Sequence, residues 1–386
     1  MYFAISNILP IAYIAFGIAL AAMLWLLWPY RIRIRIGSSA SSDEDETSAA
    51  SLPPVSVLIY ACCNPESLEK MLPMVLEQDY PAEFEVIVVN DGSSSELSDV
   101  VKRLAHTHGN LYQTFVPEEA HNLSRKKLAV SLGIKAAKTD YVVLTTADCR
   151  PCSHNWLRLM ARHFAEGKQV VLGWGRISGL KSAMEAFDQA ATGVTWLSAA
   201  SHGHPYRGTA MNLAYARKLF FDAKGFSRTL NLHHGDDDLF INQIATPGNT
   251  AVELSPEARM NASFHNPSKV WHDLKLRHTF TARRLPKGAS RLMGFSTLMM
   301  WVWLGAMATC AVFTIPNMLP SCILLIMIPA LWVPLTLAWC RTGRALGLRL
   351  RAPFLWWQML WRWIPDIRAK MSCASAERRN YTWLQK

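Results

Sequence analysis

Carboxylates fall at three separated places where the surrounding residues also suit a ligand. Asp91 stands in Asn90-Asp-Gly-Ser-Ser94, Asp148 in Thr146-Ala-Asp-Cys149, and Asp236, Asp237 and Asp238 run together inside Gly235-Asp-Asp-Asp-Leu239. A hard divalent cation takes oxygen ligands and is commonly shared between one or two carboxylates and the phosphates of a substrate, a role that fits Asp148. A carboxylate from a later segment can act as a base towards a hydroxyl, which fits the aspartate run. Other chemistries find less support. Cys149 and Cys152 form a single C-x-x-C pair, with no second pair and no histidines at ligand spacing to complete a zinc site. His202, His204, His233 and His234 lack a fixed partner in the sequence. The segment Ala61-Cys-Cys-Asn-Pro-Glu66 is not the glycine-rich turn that a dinucleotide needs.

These acids need a scaffold that brings them together. Val55–Tyr60 reads as a buried strand, 66–77 as a helix and 85–89 as a second strand. A helix near 97–107, a strand at 111–115, a helix at 124–138 and a strand at 141–145 continue the alternation. Strands and helices alternating in this way predict an α/β fold with a mainly parallel sheet covered on both faces. In such sheets ligands bind beyond the carboxyl ends of strands, where both Asp91 and Asp148 fall. No internal repeat is detectable.

The ends of the chain differ from its middle. In a chain of 386 residues that is 51% apolar, three runs lack ionised side chains, at 8–30, 292–315 and 319–340. At about 1.5 Å per residue each reaches across the roughly 30 Å hydrocarbon layer, so the sequence predicts three transmembrane helices. Arg31, Arg33 and Arg35 follow the first run; Arg283, Arg284, Lys287 and Arg291 precede the second; Arg341, Arg344, Arg349 and Arg351 follow the third. Cationic loops stay on the cytoplasmic side, which predicts a cytoplasmic globular domain at the inner or plasma membrane. With the cations clustered there, the net charge of +11 points to a membrane rather than to nucleic acid. Trp356, Trp357, Trp361 and Trp363 beside Arg362 and Arg368 suit a C-terminal interfacial helix, and equally a helix packed on the globular domain. The expected organisation is an anchor at 1–36, a flexible acidic linker at 37–53, the α/β domain at 54–290, a two-helix hairpin at 291–341 and a basic, Trp-rich tail at 342–386.

Taken in order, several segments resemble the inverting family 2 glycosyltransferases with the GT-A fold, over about residues 53 to 285. They are Pro54-Val-Ser-Val-Leu-Ile-Tyr60, Gln78-Asp-Tyr-Pro81, Val88-Val-Asn-Asp-Gly-Ser-Ser94 and Arg125-Lys-Lys-Leu-Ala129. Leu144-Thr-Thr-Ala-Asp-Cys-Arg-Pro151, Gly208-Thr-Ala-Met-Asn-Leu-Ala-Tyr215, Gly235-Asp-Asp-Asp-Leu239 and Lys275-Leu-Arg-His278 follow. The resemblance implies a nucleotide-sugar donor, most simply a UDP-sugar, with Asp91, Gly92, Ser93 and Lys127 on the nucleotide side. It implies Asp148 as ligand of Mg2+ or Mn2+, Asp237 as catalytic base with Asp236 in support, and Gly208 and Asn212 on the donor-sugar or acceptor side. Lys275, Arg277 and His278 occupy the place of a Gln-x-x-Arg-Trp segment that covers the diphosphate, although a solvated basic face explains them equally.

Two departures matter. Thr146 replaces the first acid of the D-x-D motif, and Leu274 and His278 replace the glutamine and tryptophan of the later segment. The implied function is transfer of a sugar to an acceptor hydroxyl, on a lipid-linked saccharide or an envelope polysaccharide, at the cytoplasmic membrane face. A processive synthase subunit and a non-catalytic sugar-nucleotide-binding scaffold are the alternatives.

Overall fold

Strands that are apolar along their whole length, rather than alternately, end up covered on both faces. In the computed structural model every residue of β1 (Val55–Ala61) except Tyr60 is buried. The structure describes residues 2–27, 52–62, 64–91, 95–117, 124–230, 232–285, 288–314 and 318–380. Most of the expected acidic linker, together with Gly92 and Ser93, lies outside them.

A helix α1 (Tyr2–Leu27) precedes β1; then come α2 (Pro65–Leu76), β2 (Phe84–Asn90), α3 (Ser95–Ala105), β3 (Leu111–Phe115), α4 (Arg125–Ala136) and β4 (Tyr141–Thr146). They continue into β5 (Cys149–Pro151), α5 (Trp156–Ala165), β6 (Val170–Gly173), β7 (Gly175–Ile177), α6 (Ala183–Ser201), β8 (Leu213–Ala216) and α7 (Arg217–Asp222). The last part holds α8 (Asp238–Ile244), β9 (Thr250–Glu253), β10 (Met260–Ala262), α9 (Pro267–Ala282), α10 (Gly288–Thr314), α11 (Met318–Ala345), α12 (Leu355–Trp361) and α13 (Trp363–Asn380).

Seven strands form one sheet in the order β3-β2-β1-β4-β8-β6-β9. The sheet is parallel except for β8, which runs against both of its neighbours. Register aligns Ala61 with Asn90 and Tyr60 with Thr146, so β1, β2 and β4 finish at one level. A small sheet, β5-β10-β7, stands just past the end of β4.

Local chemistry sets the helix starts. Asn64 caps α2 by accepting from the Ser67 N–H at 3.2 Å, and Pro65 fills the first helical position, where no N–H is needed. Helix α4 lies unusually close to the sheet because of Gly133: a Cβ there would meet Val89 Cγ2 at 2.8 Å and Leu58 at 3.4 Å. That approach fixes the first turn of α4 over the carboxyl ends of β1 and β2.

The three apolar runs fold as α1, α10 and α11, but among the described residues no helix is long and apolar enough to cross a membrane. The expectation of three transmembrane spans is therefore not supported by the described residues. One face of each helix packs on protein. Ala15, Ala19 and Ala22 of α1 are buried and Trp25 meets Phe295 of α10 edge-on at 5.0 Å. Trp339 of α11 meets Phe187 of α6 at 4.9 Å, and Trp174 Nε1 donates to the Leu346 carbonyl at 2.9 Å. The same apolar cluster runs from these helices into Leu58, Val142 and Leu172 of the sheet.

The tail folds as two helices rather than one, and they dock on the α/β unit, the second of the two arrangements its sequence allows. Lys275 of α9 pairs with Asp366 of α13 at 2.8 Å and with buried Asp188 of α6 at 2.5 Å. Arg362, between α12 and α13, reaches Asp188 at 3.4 Å.

Because Gly133 leaves no room for a side chain, Gly133→Val is expected to destabilise the protein by about 1–3 kcal/mol through overpacking, read as a lowered midpoint in chemical denaturation.

Candidate active site

Hydrogen bonds at the end of β1 tie two of the acids to one spot. The Asp91 N–H donates to the Ala61 carbonyl at 3.2 Å and the Ala147 N–H to the Tyr60 carbonyl at 2.9 Å, so β2 and β4 splay from the same strand end. Tyr60 donates its hydroxyl to Asp91 Oδ2 at 3.1 Å. Asn64, the cap of α2, donates through Nδ2 to Asp148 Oδ1 at 3.0 Å. Burial raises the Asp148 carboxyl above its ordinary range, against the bonds from Asn64 and Ser67.

The aspartate run is joined to this spot through the first turn of α4. Arg125 Nε donates to the Asp91 carbonyl at 3.0 Å. Lys126 Nζ pairs with Asp236 Oδ2 at 2.6 Å and sits 6.0 Å from the centre of the Tyr60 ring. Ser124 donates to the His233 carbonyl at 2.9 Å, closing the preceding loop onto the same helix end. Gly235 adopts φ +96°, and a Cβ there would strike Leu239 at 2.5 Å, so only glycine lets the chain turn directly into the acids.

The three acids then divide their work. Asp236 is half-buried; burial alone would raise its carboxyl, but Lys126 outweighs that and holds it below the ordinary range. Burial opposes charge on Lys126 as well, and Asp236 and Asp237 outweigh it to keep the ammonium above its usual value. Asp237 caps α8 and accepts from the Asp238 N–H at 2.8 Å and the Ala210 N–H at 3.2 Å. Its carboxyl is raised, first by burial and then by Asp236. Asp238 is 2% exposed, takes the Thr281 hydroxyl, lies 3.6 Å from Arg207, and is pushed up to about 7 by burial and by Asp237. A carboxylate raised above its ordinary range accepts a proton more readily than one held below it, which favours Asp237 over Asp236 as a base.

The remaining candidate residues are placed as follows. Arg277 is exposed, and its charge helps to lower His234 to about 3, after burial, so it lies on the side of the aspartates. Gly208 lines a narrow cleft beside Thr209 and His278. Four expectations are corrected. Asn212 is fully buried and bonds Trp156 Nε1 and the Trp174 and Ala258 carbonyls, so it braces the sheet and cannot touch a sugar. Lys127 is 2% exposed and donates to the Thr229 and Leu232 carbonyls, holding the loop rather than a nucleotide. Lys275 is consumed by Asp188 and Asp366. His278 is held well below its ordinary value by burial and then by the Arg207, Arg277 and Lys275 cations, which opposes the charge that a diphosphate contact would use.

Sequence reasoning missed Tyr60, Asn64 and Arg207 as parts of the site, and gave no role of their own to Arg125, Lys126 and Asp238, which it noted only as members of a motif or of the acidic run. Only Arg125 and Lys126 left a signal, as two cations at a helix start facing an otherwise uncompensated acidic run. Among the described residues no cluster of three metal-binding side chains exists, so no all-protein metal cage is built. One half-buried carboxylate at a strand end, Asp148, does fit a hard cation that a substrate's phosphates also hold. Cys149, buried, and Cys152, exposed, are both free thiols.

A mostly parallel sheet with an antiparallel β8, a small second sheet and acids gathered past the ends of β1, β2 and β4 define a GT-A type α/β domain. Residues 56–227 match the family model for glycosyl transferase family 2. Among solved structures, the mannosyltransferase PcManGT from Pyrobaculum calidifontis in complex with GDP-Man and Mn2+ is similar to it, at 20% identity and TM-score 0.56, covering 96% of this chain and 99% of that one. TarS 1–349 of S. aureus gives 15% identity, TM-score 0.41 and coverages of 84% and 91%. No curated protein matches the chain.

The raised Asp238 carboxyl has a consequence for stability. A group that binds its proton more tightly when folded makes stability fall as pH rises from its unfolded pKa to its folded one. Asp238→Asn is therefore expected to gain melting temperature relative to the natural protein between about pH 4 and pH 7. A difference that is flat with pH would show that Asp238 is ionised throughout.

Proposed function

We propose that the protein is an inverting glycosyltransferase that moves a sugar from a nucleoside diphosphate carrier to an acceptor hydroxyl. The observation that carries this reading is the bridge made by Arg125 and Lys126, which links Asp91 to the Asp236–Asp238 run across the end of β1. In this reading Asp91 and Tyr60 meet the nucleoside, and Arg277 faces the diphosphate. Mg2+ or Mn2+ held on Asp148 and the donor phosphates would neutralise charge on the leaving group. Asp237 takes the proton of the attacking hydroxyl, its carboxylate oriented by the Ala210 and Asp238 N–H groups. Lys126 keeps Asp236 ionised, and that neighbouring charge raises the affinity of Asp237 for the proton. Direct displacement by the acceptor inverts the configuration. PcManGT, which holds GDP-Man and Mn2+, supports testing GDP-sugars beside UDP-sugars.

Asp237→Asn keeps the shape and loses the base. Turnover of a UDP- or GDP-sugar is expected to fall by roughly 10²–10⁴-fold with the donor KM little changed, read by release of the nucleoside diphosphate with Mg2+ or Mn2+. Equal rates for variant and natural protein would remove the enzyme reading. They would favour a sugar-nucleotide-binding scaffold, to which Thr146, engaged with Cys149 Sγ at 3.2 Å, already lends some weight.

The same proposal places the helical layer at the cytoplasmic face of a membrane. Supporting it, Tyr13, Ile14, Leu24, Val312, Ile326 and Trp356 remain exposed on α1, α10, α11 and α12, and apolar surface of this kind suits a bilayer. The protein is expected to float with phosphatidylcholine–phosphatidylglycerol vesicles, and Trp356→Glu with Val312→Glu to weaken that; protein left at the bottom of the gradient overturns the membrane seat.

A further inference from the structure

Outside the aspartate site the described residues enclose a groove of ≈ 690 Å³ between α6, α9 and the tail. Its volume lies within the range of about 300–1,000 Å³ expected of a small-molecule site. Trp271 of α9, almost wholly buried, and Trp357 and Trp361 of α12 line it, together with Glu185, His272 and Arg368. The groove exists because the tail is docked: Asp188 and Lys275 in its lining are the residues that pair with Arg362 and Asp366.

Its charges balance. Glu185 and Asp188 stand against Lys275 and Arg368, which leaves no surplus to draw an anion. What remains is indole surface interleaved with hydrogen-bonding groups such as Ser182, Ser268 and His272. Flat aromatic faces beside neutral hydroxyls and an imidazole match a sugar ring, which is apolar on its C–H face and polar at its edge.

Trp271 also lines a second, narrow cleft of ≈ 20 Å³ on its other side, with Gln189, Trp196, Thr209 and His278. That space admits a water or one hydroxyl, not a ring. Two of its groups are unsatisfied among the described residues: Gln189 is 2% exposed and its Oε1 has no hydrogen-bond partner, and neither has the buried Nδ1 of His278. Buried polar atoms without partners are costly and call for an explanation. Thr209 in the wall of this cleft immediately precedes Ala210, whose N–H holds Asp237 Oδ2 at 3.2 Å.

We propose that the groove binds the acceptor as a neutral saccharide, its rings against Trp271, Trp357 and Trp361, and that the Gln189–His278 cleft receives a hydroxyl at the end nearer Asp237. The term acceptor rests on the glycosyltransferase reading; saccharide binding by the groove does not. Trp357 is 49% exposed, so its removal leaves the core intact.

The test titrates the full chain with cellobiose, maltose and N,N′-diacetylchitobiose while following tryptophan fluorescence, and repeats this with Trp357→Ala and Trp361→Ala after checking that both melt cooperatively. At least one disaccharide is expected to perturb the natural protein saturably, with Kd raised tenfold or more in the variants. No response from any of the three, or the same Kd in natural protein and variants, overturns the proposal. Thermal shifts with UDP- and GDP-sugars, run in parallel, separate the two readings. Donor binding without a disaccharide response sinks the groove alone. A disaccharide response without donor binding upholds the groove and removes the transferase.

Discussion

Three consecutive carboxylates in a partly buried loop cannot coexist unless cations reach them, and the first turn of α4 supplies the decisive one. Lys126 meets Asp236 at 2.6 Å, and without it the loop would hold acids that burial alone drives towards their neutral forms. The cation can stand there only because Gly133, two turns along the same helix, lets α4 settle onto Val89 and Leu58. Lys127, beside it, takes two carbonyls of the loop that leads into the acids, and Ser124 takes a third. One helix end therefore determines both where the acids lie and how strongly each holds its proton.

From that arrangement follows a graded set of acids rather than three equal ones. Asp236 is kept ionised by Lys126, and Asp238 is shielded by Thr281 and Arg207 at the back of the site. Asp237 lies between them, its affinity for a proton raised by burial and by a neighbour that stays charged. Like charges held close together separate in pKa, and an acid–base site can use that separation.

Much of the frame was legible. The runs at Val55, Val86 and Val142 are buried strands because they are apolar along their whole length, and Asp91 and Asp148 could be placed by the rule that loops follow strand ends. What the sequence hid was direction. Asn212 and Lys275 carry ligand-like side chains, but one points into the sheet and the other towards the tail, and periodicity does not encode which buried partner awaits a polar group. Lys126 and Lys127 are adjacent and chemically equal, yet a helix turns successive residues by about 100°, so one meets the acids and the other the loop carbonyls. Hydropathy leaves a choice open at the ends, since a long apolar run reports that water is avoided without saying whether lipid or protein takes its place.

Helix α9 connects the two halves of the molecule. On one side Lys275 is locked to Asp188 and, through Asp366, to the tail; further along the same helix Arg277 and Thr281 lie towards the aspartate region. Because a helix transmits displacement along its axis with little bending, loss of the tail's ion pairs would be felt at the Thr281–Asp238 bond as well as in the tryptophan groove. The tail is thus a structural member of the site, and its basic, Trp-rich composition reflects docking to buried Asp188 as much as any outward-facing surface.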